Sequence, residues 1–290
     1  MTIEHILYGT AVSDHILQTA KELSDRLILK GITPTLAIIR VGSRKDDISY
    51  EKTAEKKAAR AGIKLLNFIF DEDISKFEFE KELDQINKNK NIHGILVFNP
   101  LPPQLDLQSA KSFISPEKDV DGLTDTSSSF VYTGKGRGFA PCTACAVIEM
   151  LDFYGIDVDG KNIAVLGRSI VIGKPVAMLL MQKNATVVNL HTHTKNAHII
   201  ASKADILIAA MGRLKAVGEE FTNNNQIIID VGINWDPEKG SIAGDVDFEN
   251  VENKVFAISP VPRGVGAVTS SVLMKHVVEA CILQTEAGHE

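Results

Sequence analysis

Runs of apolar residues on consecutive positions, each followed by a turn and then a charged, helix-permissive stretch, constrain this chain most. In the first half they are Thr35–Val41, Lys64–Phe70 and Gly94–Phe98, separated by Lys45–Ala61 and Ser75–Asn89. In the second half they are Asn162–Leu166, Ala185–Leu190, Asp205–Ala209, Gln226–Val231 and Val255–Ile258, with Pro175–Gln182 among the helical stretches between them. A strand that alternates apolar and polar residues leaves one face to water, whereas a continuously apolar one must be covered on both faces. Strands of that kind alternating with helices predict an α/β fold with parallel sheets and right-handed crossovers. A length of 290 residues suits two such domains, given roughly 100–200 residues per domain. The turn-rich stretch Ser115–Pro141, with KDVDG and TGKGRG inside it, reads as a boundary and a functional loop region. Ser271–Thr285 reads as a final helix.

Composition removes several function classes. A net charge of −6 provides no positive field for nucleic acid. No uninterrupted apolar run approaches the roughly 18–20 residues of a membrane span. The N-terminus carries Glu4 and no basic segment, so no signal peptide is expected. Three cysteines in a chain this long point to a reducing, cytoplasmic compartment rather than a disulfide scaffold. Cys142 and Cys145 have no second pair with which to hold zinc, and no metal site is expected.

The segment Ile163–Pro175 carries the clearest chemical signal. A buried strand ends at Gly167, where a side chain would block a ligand, and Gly173 opens a helix whose free N–H groups suit a pyrophosphate. Pro175 fits the first turn of that helix. The next strand ends in His191-Thr192-His193-Thr194, without the carboxylate that usually holds an NAD ribose. That favours NADP, with Arg168 and Ser169 or the His/Thr cluster available for its 2′-phosphate.

Beyond this loop, KDVDG at 118–122, Pro141-Cys142-Thr143, GRSIVIGKP at 167–175, IDVGIN at 229–234, GDV at 244–246 and SPVPRGVG at 259–266 stand in one order along the chain. In these motifs the sequence resembles the bifunctional methylenetetrahydrofolate dehydrogenase/cyclohydrolase family over nearly its whole length. The resemblance implies an N-terminal α/β folate-binding catalytic domain (1–140 with 270–290) and a C-terminal Rossmann-like NADP-binding domain (141–269) around a cleft. It also implies a homodimer formed through the cofactor domains and a last helix that returns to the first domain. Tyr50 and Asp121 are implied to act on the folate, with Val97, Phe98, Pro100, Leu101, Pro262 and Gly264 lining its site. Gly167, Arg168, Ser169, Gly173, Pro175, His191, Thr192, Gly212 and Ile233 are implied to hold the cofactor.

The sequence departs from the family on the folate side. The pattern Y-x-x-x-K reads Tyr50-Glu-Lys-Thr-Ala54, and the glutamine of V-Q-x-P-x-P is Phe98. Asp47, Arg263 and Ala267 replace a usual serine, glycine and proline. Hydride transfer from the methylene carbon needs no protein base, because the adjacent nitrogens stabilise the resulting cation; placement suffices. Hydrolysis of the methenyl product needs a group that moves a proton, worth about 10²–10⁴-fold. Ala54 and Phe98 cannot supply one. The expectation is an NADP-dependent dehydrogenase with weak or absent cyclohydrolase activity. Two alternatives stand beside it: retained hydrolysis through Lys57, on the same helix face as Tyr50 and Ala54, or through water, and an NADP-binding paralogue without catalysis.

Overall fold

A computed structural model describes residues 3–286. The chain divides into two compact units, one of residues 15–142 with 270–286, the other of residues 143–269 with 3–14.

The first unit centres on a three-stranded parallel sheet of β1 (Thr35–Val41), β2 (Lys64–Phe70) and β3 (Gly94–Val97), in the order β2-β1-β3. Central β1 is buried at every position, as its consecutive apolar residues Leu36–Ile39 require, and edge strand β2 alternates between more and less exposed residues. Helix α1 (Gly9–Leu29) precedes β1, and α2 (Lys45–Ala61) joins β1 to β2. Acidic Asp46 and Asp47 lie in the first turn of α2, and Gly62 closes it in the left-handed conformation at φ 70°. Helix α3 (Lys76–Lys88) has Ser75 as its N-cap, accepting from the Glu78 amide while donating to the Glu78 carboxylate at 2.8 Å. Phe79, Leu83 and Ile86 of α3 pack with Ala37, Ile39 and Val41 in one core. Arg40 of β1 meets Glu51 of α2 at 2.8 Å, both side chains nearly buried. This pair fixes the helix that carries Tyr50.

Helices α4 (Leu107–Lys111) and α5 (Asp125–Thr133) follow β3, and α6 starts at Cys142, running to Phe153. The stretch 115–141 is thus less irregular than its turn signals suggest. Helix α5 forms among weak helix formers because Asp119 accepts from the Leu123 and Thr124 amides and the Ser127 hydroxyl, and Thr124 caps the helix.

The second unit is a five-stranded parallel sheet built from β4 (Asn162–Leu166), β5 (Thr186–Leu190), β6 (Ile206–Ala209), β7 (Ile227–Asp230) and β10 (Ala257–Ile258). Its order is β10-β7-β6-β4-β5, so the chain reverses direction across the sheet at β4. Helices α7 (Gly173–Gln182), α8 (Ala197–Ala201) and α9 (Phe248–Val251) lie between strands. A hairpin of β8 (Asn234–Asp236) and β9 (Ser241–Ala243), each too short to show a periodicity, was not expected. The N-terminal segment extends the edge at β10, where Leu7 donates to Ile258 and Ile258 to His5. This pairing packs residues 3–14 with the second compact unit.

The last helix, α10 (Val265–Glu286), starts earlier than Ser271. It alone among the described residues has the length and apolar composition of a membrane span. Protein packing accounts for that composition: Val272, Leu273, Met274, Val277, Val278 and Cys281 are fully buried. Its residues from 270 onward join the first unit, where Gln284 donates to the carbonyls of His93 and Glu117.

Candidate active site

Tyr50 on α2 meets Phe98, just beyond β3, edge-to-face with ring centroids 5.6 Å apart. Ala54, one turn further along α2, is fully buried. Asp121 sits in the KDVDG turn, with Gly122 at φ 68° beside it; a Cβ on Gly122 would come within 2.6 Å of the Pro141 nitrogen. Asp121 lies electrostatically close to both Tyr50 and Cys142. Burial pushes its carboxyl up to about 6, hydrogen bonds from Cys142 pull it down, and the Asp119 charge raises it further. Burial, followed by the charges of Asp121 and Cys142, lifts the Tyr50 phenol well above its usual range. Tyr50 is therefore a neutral O–H group at physiological pH.

The remaining residues of the KDVDG turn build the turn itself. Lys118 is buried and donates to the carbonyls of Asn87 and Asn89 at 2.6 and 2.8 Å, instead of pairing with the acids of its motif or facing solvent. Buried His276 of α10 bonds the Val120 carbonyl through Nδ1 at 2.9 Å. The Cys142 thiol donates to the same carbonyl at 3.3 Å.

Pro100 and Leu101 line a cavity of about 310 Å³ together with Arg44, Glu72 and Pro102. The Val97 side chain instead packs in the core. Lys57 is half-buried, and its amine donates to Ser271 Oγ on α10 at 2.8 Å, whereas Lys52 and Lys56 are exposed.

In the second unit, Gly167 has φ 129°, and a Cβ there would lie 2.1 Å from the Ala210 carbonyl oxygen. One on Gly173 would lie 2.3 Å from the Gly167 oxygen. Backbone thus packs on backbone at both glycines, and it is protein, rather than a ligand, that a side chain would strike. Ser169 Oγ accepts from the Ile172 and Gly173 amides at 3.1 and 3.4 Å, and the Ser169 carbonyl accepts from Lys174. The start of α7 is thereby satisfied internally, contrary to the expectation of free helix N–H groups. The free donors lie one step earlier. Among the described residues, the amides of Arg168, Ser169, Ile170 and Val171 have no protein partner, and all four residues are exposed. Consecutive free N–H groups beside an arginine suit a phosphate, and the Ser169 hydroxyl keeps its proton to donate. This loop fits a dinucleotide.

Pro175 is buried in the first turn of α7. The His191 amide is held by Thr194, and His191 Nδ1 accepts from the His193 amide, so the His/Thr segment is a turn with Thr192 exposed. Gly212 has φ 64° with open space where a Cβ would stand, and Ile233 is 63% exposed. Pro262 is exposed, whereas Gly264 is buried, its carbonyl against Gly9. Arg263, where the family has glycine, adopts φ 78° and places its guanidinium 4.8 Å over the Tyr8 ring. No group of His, Cys, Asp or Glu able to hold a metal occurs among the described residues.

Residues 7–121 match the catalytic domain of tetrahydrofolate dehydrogenase/cyclohydrolase, and residues 141–285 match its NAD(P)-binding domain. The chain belongs to this family. A "Bifunctional protein FolD" from Clostridioides difficile is 47% identical over 279 residues, covering 96% of this chain and 97% of that protein. The crystal structure of the bifunctional FolD methylenetetrahydrofolate dehydrogenase/cyclohydrolase from Campylobacter jejuni superposes with a TM-score of 0.92 at 35% identity, covering 96% of this chain and 98% of that one. The Trypanosoma brucei FolD complexed with NADP and an inhibitor gives 0.90 at 33%, covering 98% and 99%. The two-domain α/β fold of the family is therefore the fold of this chain, and its second unit is an NAD(P)-binding domain.

Two buried carboxylates in the family's IDVGIN and GDV motifs, Asp230 and Asp245, had no role in the sequence reading. Only their placement in motifs on either side of the hairpin could have flagged them.

Proposed function

We propose that this protein oxidises 5,10-methylenetetrahydrofolate to the methenyl compound with NADP, and hydrolyses the product weakly or not at all. The observation that carries the reading is the cluster of Tyr50 against Phe98, with Asp121 electrostatically close to Tyr50 and Ala54 buried one turn along the same helix. It offers an aromatic surface and a carboxyl able to anchor a pterin, but no amine at the family's lysine position. Bound NADP supplies the hydride acceptor. The loop 168–171 with Arg168 holds its phosphates, and the missing acid after β5 favours NADP over NAD. Tyr50 and Phe98 exclude water and orient the folate, while Asp121 accepts hydrogen bonds from the ring.

The carboxylate form of Asp121 is the anchoring one, which makes folate binding depend on pH. The KM for folate should be flat above pH 7 and rise as pH falls through about 6, and Asp121→Asn should remove that rise. A wild-type KM that stays level down to pH 5 would exclude Asp121 as the anchor. The same raised value has the opposite sign for folding. The native state binds the proton more tightly, so this contribution to stability is complete below about pH 4 and is lost as pH rises through about 6.

A second reading rests on the half-burial of Lys57, which sets it apart from its exposed neighbours. There, Lys57 moves the proton and both activities survive. A paired assay on one sample separates the readings: NADP reduction with the methylene compound, and decay of the methenyl absorbance above its spontaneous rate. Reduction without accelerated decay is expected. Acceleration that disappears in Lys57→Ala while reduction persists would establish the second reading. NADP binding without any reduction would identify a non-catalytic paralogue.

A homodimer through the cofactor unit is part of the proposal. Edge strand β5 carries exposed Val188, and with Ile199 and Ile200 this side chain lines a cavity of about 370 Å³. None of the three cysteines forms a disulfide, which suits a reducing cytoplasm.

A further inference from the structure

In an open parallel sheet, ligands settle beyond the carboxyl ends of the strands where the strand order reverses. Here that place is β4, flanked by β5 and β6, and the loops beyond it are 167–172 after β4 and 210–213 after β6. The charged residue of the second loop, Arg213, is exposed, and the loop's backbone is tightly held. The Asp245 carboxylate accepts hydrogen bonds from three consecutive amides, Met211, Gly212 at 3.0 Å and Arg213 at 2.8 Å. It also accepts from Asn234 Nδ2 at 2.9 Å, which ties in the chain just after β7. Asp245 is fully buried.

Asp230, at the end of β7, holds Asp245 in turn. Its carboxylate accepts from the amides of Gly232, Asp245 and Val246 at 2.9, 3.1 and 2.9 Å. Its own amide donates to Ser259 Oγ at 2.8 Å. Two glycines make the approach possible: a Cβ on Gly232 would stand 2.3 Å from Asp245 Oδ1, and one on Gly244 would stand 1.9 Å from Asp230 Oδ2. Burial pushes the Asp230 carboxyl up to about 7, which limits repulsion between the neighbouring acids.

We propose that Asp245 is a positioning residue for the cofactor, clasping loop 210–213 to the chain after β7 so that the open face at Gly212 is presented at the strand-order reversal. The inference rests on the dinucleotide reading above and extends it to a residue that has no direct place on the ligand. A side chain at 245 that donates as well as accepts turns an N–H either toward the Arg213 amide and Asn234 Nδ2 or toward the Met211 and Gly212 amides. The loop then relaxes while the sheet beneath it stays intact.

Calorimetric titration of NADP into the whole protein tests this without turnover. Asp245→Asn should weaken NADP binding about tenfold or more, and leave the affinity for a folate ligand within twofold. Asn234→Ala, which removes one side-chain bond and keeps the carboxylate, should weaken NADP binding by a smaller factor, about threefold. It decides the matter if Asp245→Asn does not fold. NADP affinity unchanged in a folded Asp245→Asn protein overturns the inference, as does an equal loss of both ligands, which marks a purely structural role. If Asp245→Asn does not fold, unchanged NADP affinity in Asn234→Ala overturns it. A wild-type protein that fails to bind NADP overturns the dinucleotide reading instead, and the inference falls with it.

Discussion

Changing Ala54 to lysine and Phe98 to glutamine together should raise hydrolysis of the methenyl compound by about 10²–10⁴-fold, the usual contribution of a positioned proton-transfer group. Position 54 lies one turn beyond Tyr50 on α2, so the two residues share a helix face. A lysine there projects from the same helix face as the tyrosine. Phe98 now covers that tyrosine edge-to-face. Glutamine in its place frees aromatic volume and supplies a carbonyl and an amide to orient the amine or a water. Because Ala54 is fully buried, Ala54→Lys alone should overpack the site at a cost of about 1–3 kcal/mol and gain little activity. The two changes should therefore be strongly non-additive. The decay of methenyl absorbance in the single and double variants, with denaturant unfolding of each, checks this. A well-folded double variant with no gain would mean that Ala54 and Phe98 are not what limits hydrolysis. An unaltered protein that already hydrolyses at a rate matching the double variant would remove the premise.

The second large effect is expected at Gly167. An alanine there carries two costs at once: a Cβ at φ 129°, and a contact of 2.1 Å with the Ala210 carbonyl oxygen, which belongs to the neighbouring strand's exit and cannot swing away. Gly167→Ala should lose about 3 kcal/mol of stability or more. It should also abolish measurable NADP binding by displacing the loop that holds the free amides. Gly31 is the matched control. Its φ is 80°, but a Cβ there meets nothing within 4 Å, so Gly31→Ala should cost only about 1 kcal/mol. Urea unfolding of the two variants measures the difference. Equal losses would show that φ alone, rather than backbone packing, explains the glycine at 167.

Much of the scaffold was legible locally. Strand β1 is apolar at five of its seven positions and is buried at all of them, because hydrophobicity on consecutive residues can only be satisfied by cover on both faces. Helix α3 starts and stops one residue inside the boundaries read from Ser75 and Asn89, since a capping side chain acts on amides within its own turn. The glycine-rich loop and its helix were legible for the same reason.

The rest depends on partners outside the element itself. Helix α5 exists because Asp119 gathers its N-terminus, and nothing in TSSSF announces a helix. Whether Lys118 faces water or two buried carbonyls, and whether Lys57 lies on the surface or against α10, depends on residues that only folding brings alongside. Composition and local pattern by themselves determined the α/β class and the order of the strands along the chain, while only the resemblance to the family marked positions 54 and 98 as lacking its lysine and glutamine. The tertiary structure alone decided which amides remain free at 168–171, that Gly167 yields to a neighbouring carbonyl, and that Asp230 and Asp245 are buried acceptors. Hydrophobic periodicity and capping are properties of neighbouring residues, whereas burial and hydrogen-bond satisfaction of a polar group belong to the space around it.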